Sequence, residues 1–579
     1  MRPMQLDIPR RHESESRSTR GWWIAATILV TLLMSVPDTL FGIELGDTGF
    51  YFTFYDNFFR APEAVEYNFM YWFSGLVGRL WLSAGEIIGC TPLLWMRFGG
   101  AAALCGIALG IRFAVVSLLG EKHAESCSLA AVILVMGVYF RGVHVLAYDL
   151  ITCLVGLWGM LLVARGLMKG KVIFVGAFLL GVNAFTRMTN LCEVMLFLLV
   201  PLGYRFMTAG KMPARETLGR TGEFFLGWFA GILSVILLII LLGQWKEMVA
   251  NLQDLVGIAT GSSGSATHNL DHLMLKSMDM WGAICKRALI LACFLLPGLL
   301  WRPLYAVGLA GWLLVALLRG DGGLLFATAS LSLFGCTCSL LRKRWHRASI
   351  LAWGGILLMR LLPMGCDGIL LGVGSTALAA AVAVAAAWTV SVFRHGLTTL
   401  WLLALLFAGL GFAGMYLGGA YMDEGPLVEK VASVNHPELR GALTTPERAE
   451  AIAEFSTELA GLVKPGEKVL IYGGAPGLYW LSGTLPAFGN SWPEQLSVGR
   501  LQSRLDEMAS NGEFPPVVFH EFDAQAYGAF TPDPTYGAGG GKPTPYHLKE
   551  KNETLERWLR SNGYCRTDST RWFSVFRKN

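Results

Sequence analysis

GWWIAATILVTLLMSVPDTLFG, residues 21–42, is one apolar run, preceded by Arg2, Arg10, Arg11, Arg17 and Arg20 and followed at once by Glu44-Leu45-Gly46-Asp47-Thr48-Gly49-Phe50-Tyr51. A helix needs about 20 apolar residues to cross a bilayer, so this run is long enough to span one. Basic-then-apolar is also the order of a signal peptide. The run is longer than a typical signal core and no small-residue cleavage site follows, so it reads as a retained helix. Its basic flank belongs in the cytoplasm, which places the Glu44–Tyr51 segment on the opposite face of the membrane.

Composition extends this reading to the whole chain. Hydrophobic residues make up 54% and charged residues 15% of the 579 positions, against about 25% charge in a soluble globular chain. Disorder is excluded, and an ordinary soluble multidomain enzyme is disfavoured. The net charge of +5 is small and scattered, so no nucleic-acid partner is expected. The eleven Cys show no CxxC or Cys/His metal spacing, and most sit inside apolar runs, where Cys acts as a small hydrophobe.

Further apolar runs occupy 92–119, 127–147, 149–167, 171–186, 189–206, 222–243, 287–301, 303–319, 322–341, 348–364, 370–393 and 397–419. With the first they make about thirteen spans, each read by length and hydropathy. Lys122, Lys169, Lys171, Arg205, Lys211, Arg215, Arg220, Arg302, the Arg342–Arg347 cluster and Arg394 fall in alternate connections, on the side of the N-terminus. The positive-inside rule makes that side cytoplasmic. Merging 287–301 with 303–319 would put Arg342–Arg347 outside, so the two are kept apart. The odd count sends residues 421–579 to the outer face.

Two outer connections, 43–91 and 244–286, are too long for turns. The first holds amphipathic pieces such as Tyr71–Leu82 that can lie along the membrane surface. Residues 421–579 regain soluble composition. They read as a small α/β unit: helix Pro446–Leu462, strand Lys468–Tyr472, a Gly-rich GGAPG turn (473–477), a helix near 498–510, strand Val517–His520, helix Glu553–Leu559 and strand Trp572–Phe576. The expected fold is an α-helical polytopic membrane protein with a transmembrane domain, 1–420, and a soluble α/β domain, 421–579.

Asp47 is the main candidate for chemistry. A carboxylate at the membrane boundary beside Phe50, Tyr51, Phe52, Phe54 and Tyr55 is partly desolvated, which raises its proton affinity and suits it to accept a hydroxyl proton. The alternative is that Asp47 merely caps the next helix.

GDTGFYFTFYDNFF (46–59), VEYNFMYW (65–72), the long first outer loop, the thirteen expected helices and the external C-terminal domain together resemble the GT-C superfamily of integral-membrane glycosyltransferases. Among its members, the chain is similar to the protein O-mannosyltransferases and the lipid A aminoarabinose transferases. The resemblance covers about 1–420. Relatives often carry Asp-Glu-Tyr in the first loop, and Thr48 replaces the Glu here, so a second carboxylate must come from elsewhere or be absent.

The resemblance implies a hexosyl- or pentosyltransferase moving a sugar from a polyprenyl-phosphate-linked donor to a hydroxyl on a glycan, lipid or protein, with inversion, at a bacterial inner membrane in cell-envelope glycan biosynthesis. Membrane lipid and the lipid-linked donor are then its partners. No cofactor is certain and the metal requirement is open. Asp47 becomes the general base.

The same resemblance implies an acidic residue between the third and fourth spans. FRGVHVLAYDL (140–150) offers Asp149 there, with His144 and Arg141 beside it; helix N-capping is the alternative. Arg187 lies in a Thr-Arg turn like one in many superfamily members. It suits a lipid phosphate or, alternatively, snorkels to bulk headgroups. Asp367 sits in LPMGCDG (362–368), a turn able to bind phosphate oxygens through amides or simply a tight interhelical turn. Glu66, Tyr67 and Asn68 lie where relatives keep substrate-contacting loop residues; a solvated acidic loop is the plainer reading for Glu66. Tyr51 and His144 complete the expected substrate-binding set. His268, Asp271 and His272 could share a helix face and hold Zn, or be solvated. GGAPG lacks the full spacing of a nucleotide-binding motif and reads as a structural turn. The competing functional class is a transporter or flippase of lipid-linked glycans, which would place charge within the spans; Arg97, Arg112 and Arg360 keep it open.

Overall fold

A computed structural model describes residues 17–119, 123–139, 145–169, 172–207, 214–259, 270–299, 301, 303–318, 330, 333–334, 347–361, 396–420, 423–521, 549–569 and 573–578. His144, Asp367, His268 and the expected spans at 370–393 and most of 322–341 lie outside the described residues.

The chain is a mostly helical, multi-pass membrane protein. Among the described residues, five helices are long and apolar enough to cross a membrane: Arg20–Leu40, Pro92–Ser117, Tyr148–Met168, Ala214–Leu241 and Leu400–Gly418. The helices are α1 (Arg17–Leu40), α2 (Asp47–Asn57), α3 (Trp72–Ile88), α4 (Pro92–Arg112), α5 (Ala124–Tyr139), α6 (Tyr148–Lys169), α7 (Ile173–Asn183), α8 (Leu199–Met207), α9 (Ala214–Leu241) and α10 (Trp245–Ala259). Leu270–Leu295, Leu304–Leu318, Arg347–Leu361 and Gly396–Gly418 follow.

In α1 the hydroxyls of Thr27, Thr31, Ser35 and Thr39 each bond the carbonyl four residues back, at 2.8–2.9 Å. Polar side chains are thereby satisfied within an apolar helix. Glycines close the bundle between α7 and α9. A Cβ on Gly181 would stand 2.1 Å from the Trp228 carbonyl oxygen, and one on Gly231 would stand 2.2 Å from that of Phe178. Helix axes come this close only where the side chains are absent.

The first long connection holds a helix where an amphipathic piece was expected, and the second is more helical than expected. Residues 43–91 hold α2, a 3-10 helix at Pro62–Tyr71 and α3. Trp72, Ser74, Gly75, Gly78 and Leu82 of α3 are buried, so its small-residue face packs on α2, while Leu80, Ile87 and Ile88 are exposed on the other face. A Cβ on Gly75 or Gly78 would meet the rings of Phe54 or Tyr55 at 2.4 Å. Most of 244–286 is also helical: α10 fills its first part, and Leu270–Leu295 starts well before the expected 287. Polar residues on one helical face hid both helices from a hydropathy reading.

The C-terminal part begins with the paired strands β1 (Gly419–Ala420) and β2 (Asp423–Glu424), then β3 (Ala432–Ser433) and β4 (Leu443–Thr444). β5 (Lys468–Tyr472), β6 (Leu485–Pro486), β7 (Val517–Glu521), β8 (Tyr564–Ser569) and β9 (Phe573–Lys578) form one sheet in the order β6-β5-β7-β9-β8. β6, β5 and β7 are parallel, and β9 runs antiparallel between β7 and β8. Pro446 at the first turn and Thr445 as N-cap start the helix Pro446–Leu462, as this pairing favours.

Candidate functional site

The site grows from the break after α1. Phe41 bridges Leu443, and Gly42 N donates to the Leu443 carbonyl at 2.7 Å. Arg97 Nη1 donates to the Thr39 carbonyl at 3.0 Å and Nη2 to that of Gly42. Asp423, fully buried, accepts from Ile43 N, Thr444 Oγ1 and Lys430 Nζ, each at 2.7 Å. Arg448 Nη1 donates to the Ile43 carbonyl at 2.8 Å. The C-terminal part thus grips both backbone faces of Ile43, and the chain enters α2 in a fixed direction.

Asp47 is the first residue of α2 and is half-buried; the N-cap is Gly46, with no side-chain capping bond. The capping alternative for Asp47 is therefore corrected. Glu44 supplies the cap, its Oε2 accepting from Thr48 N at 2.5 Å. Burial, then the charge of Asp47, push the Glu44 carboxyl up to about 7. Glu44 is the second carboxylate of the opening segment, three residues before Asp47 where a motif search looks immediately after it.

Asp149 lies in the first turn of α6, buried, within electrostatic reach of Arg187 and Asp47. Arg187 follows the end of α7, which has only 11 residues and spans about 16 Å at 1.5 Å per residue, short of a full crossing. Backbone freed at such depth must be satisfied within the protein. Asn183, Thr186 and Asn190, all fully buried, do this. Asn190 Nδ2 donates to the Asn183 carbonyl at 2.9 Å, Thr186 Oγ1 to Asn183 Oδ1 at 2.7 Å, and Asn183 Nδ2 to Glu193 Oε1 at 2.9 Å. Phe73 N and Ser74 Oγ bind the carbonyls of Phe185 and Thr186 at 2.8 and 3.1 Å. Arg187 is 4% exposed, so the reading in which it snorkels to bulk headgroups fails. Its guanidinium lies 5.7 Å from the Tyr148 ring centre.

Tyr148 stacks on Tyr71 at 4.1 Å and meets Tyr51 edge-on at 5.3 Å. Tyr55 donates its hydroxyl to the Leu146 carbonyl at 3.0 Å, and burial with the nearby Asp149 charge pushes that phenol above its ordinary range. Asp47, Tyr51, Asp149 and Arg187 thus meet at one end of the helical bundle. Glu66 does not join them. Its Oε1 takes Arg504 Nη2 at 2.8 Å in a separate charged cleft with Lys468, Glu507 and Glu513. Arg112 pairs with Glu125 at 2.5 Å. Among the described residues no group of His, Cys, Asp or Glu has a metal-holding arrangement; Asp271 and His272 lie on the helix Leu270–Leu295.

The GGAPG turn packs on α2. Gly477 N donates to the Leu45 carbonyl at 2.8 Å, Thr53 Oγ1 donates to that of Pro476 at 3.0 Å, and Trp480 stacks on Phe52 at 4.1 Å. A Cβ on Gly49 would stand 2.3 Å from Gly477 Cα. The glycines serve backbone contact with the Asp47 helix, so the structural reading of this turn holds.

No family model and no curated protein matches the chain. Several solved structures do. Oligosaccharyltransferase from Archaeoglobus fulgidus, tethered to an acceptor peptide containing the NVT sequon, is 13% identical, with 86% of this chain and 69% of that one covered and a TM-score of 0.45. ArnT from Cupriavidus metallidurans, bound to undecaprenyl phosphate, is 11% identical, with 96% and 98% covered and a TM-score of 0.49; its apo form gives the same identity and coverage with 0.47.

Proposed function

We propose that this chain is a membrane glycosyltransferase that moves a hexose or pentose from a polyprenyl-phosphate donor to a hydroxyl acceptor, with Asp47 as general base. One observation carries the reading. A half-buried carboxylate, a second buried carboxylate and a buried guanidinium converge where α2 and α6 begin and α7 ends. The sequence resemblance supplies the donor class.

In this mechanism the acceptor oxygen attacks the anomeric carbon. Its proton passes to the Asp47 carboxylate, the bond from the anomeric carbon to the phosphate oxygen breaks, and the electron pair leaves with the polyprenyl phosphate. Attack opposite the leaving group inverts the centre. Arg187 neutralises the charge growing on the phosphate, a preorganised cation in a dry site. Asp149 holds Arg187 in place and keeps the local charge balanced before donor arrives. Tyr51 and Tyr148 wall the site on the α2 side. The positive-inside pattern supports a cytoplasmic N-terminus and an outer-face site at a bacterial inner membrane.

A transporter of lipid-linked glycans is the second reading. It loses support where the charges within spans have local structural work: Arg97 ties the end of α1, and Arg112 pairs with Glu125.

The test is Asp47→Asn assayed with a polyprenyl-phosphate sugar and scored for transfer. A general base contributes about 100-fold or more, so kcat is expected to fall at least that far with donor binding retained. Turnover like that of the parent protein removes Asp47 from the mechanism. Vesicle translocation without transfer favours the transporter.

A further inference from the structure

Buried polar groups nearly always find partners, and several of the exceptions here lie together. Asn68, on the 3-10 helix Pro62–Tyr71, has no exposed surface, and neither its Oδ1 nor its Nδ2 has a hydrogen-bond partner among the described residues. Asn490 Nδ2, Ser491 Oγ, Asn251 Oδ1 and Glu247 Oε2 are also orphaned. Asn490, Ser491 and Asn251 are each at least 97% buried.

These groups come from three separate elements that meet at Tyr67. Tyr67 N donates to the Gly489 carbonyl at 3.0 Å, and Asn251 Nδ2 donates to the Tyr67 carbonyl at 2.8 Å. Phe50 lies 6.5 Å from the Tyr67 ring and 6.1 Å from that of Trp492, and it is one helical turn from Asp47 on α2. The cluster therefore sits on the Asp47 helix, beside the site.

The chemistry of the orphaned set is specific. It offers amide donors, amide acceptors, a hydroxyl that does both, and one carboxylate acceptor. It contains no cation, so it does not match phosphate, which pairs with Arg, Lys or clustered N–H groups. It does match vicinal hydroxyls, each of which donates and accepts. Trp492, Phe50 and Tyr67 supply aromatic surface for the apolar face of a ring.

We infer that Asn68, Asn490, Ser491 and Asn251 form a subsite for a neutral saccharide, the acceptor whose hydroxyl is delivered to Asp47. The acceptor role rests on the proposed glycosyl transfer; saccharide binding does not, and it is measured separately.

The experiment is saturation-transfer NMR on the full chain in detergent, with a mixture of methyl glycosides of common hexoses and pentoses as probe. Binding is expected in the parent protein and at least tenfold weaker in Asn68→Leu and in Ser491→Ala. Removing an orphaned buried polar group relieves desolvation, so both variants are expected to melt no lower than the parent; a structurally paired group would lower Tm. Ser491→Ala, which deletes a single oxygen, decides the matter where the larger change unfolds the chain. The inference is overturned if no glycoside binds, if inorganic phosphate displaces the bound glycoside, or if both variants bind as the parent does. Asp47→Asn that binds glycoside but transfers nothing upholds both readings. Glycoside binding with no transfer by the parent sinks only the transferase.

Discussion

Glu44 and Asp47 stand on the same short segment yet have opposite tasks. Glu44 is sealed in and caps α2, while Asp47 remains half-exposed at its start. A carboxyl raised from about 4.5 to about 7 on folding binds a proton in the folded chain that the unfolded chain has lost. Stability therefore falls as pH rises from about 4.5 to about 7, and the whole penalty is present above about 7. Glu44→Gln keeps an acceptor for Thr48 N and removes the penalty. Its Tm is expected to exceed that of the parent at pH 8 and to match it near pH 4, read by thermal scans across pH. A fall in Tm confined to high pH would show instead that the charge holds α2, and a uniform fall would show that the amide fails as a cap. Asp47 was legible in Glu44-Leu45-Gly46-Asp47, but Glu44 was passed over as its acidic partner. The division of labour between the two was not legible, because the segment is set by Arg448 and Asp423, about 400 residues away.

At the scale of elements, the contact between α2 and the GGAPG turn carries the geometry of the site. Gly49 and Gly477 meet backbone to backbone, and a Cβ on either would lie 2.3 or 2.8 Å from the other's Cα. Overpacking of this kind costs about 1–3 kcal/mol. Gly49→Ala and Gly477→Ala are each expected to lower Tm and to speed proteolytic release of the α/β part. Gly461→Ala, with nothing within 4 Å of its Cβ, is expected to leave both unchanged or to stabilise slightly. Equal behaviour of the three variants would deny the contact its role. Helix Pro446–Leu462 and strand Lys468–Tyr472 lie where Thr445-Pro446 and the apolar run of β5 placed them. The turn after α7 was read at Phe185–Asn190 and lies there; what escaped the reading is that Asn183, Thr186 and Asn190 are joined by buried hydrogen bonds, which only the tertiary structure shows. β8 escaped it too: Tyr564–Ser569 is polar, and only its pairing with β9 makes it a strand.

For the molecule as a whole, orientation decides whether the site faces a lipid-linked sugar on the outer leaflet. The basic connections argue for an outer α/β part, and the fold binds that part to the Asp47 segment through Asp423, Arg448 and Gly477. The two must therefore lie on the same side. Cys565, on β8, is exposed, while Cys90, Cys285 and Cys293 are the other exposed thiols among the described residues. In a chain with those three changed to Ser, a membrane-impermeant maleimide added to intact spheroplasts is expected to label Cys565 without detergent, and Cys565→Ser is expected to abolish the signal. Labelling that appears only after the membrane is opened would place the α/β part, and with it Asp47, in the cytoplasm. A donor presented from the outer leaflet could not then reach the base, and the direction of the whole reaction would have to be reversed.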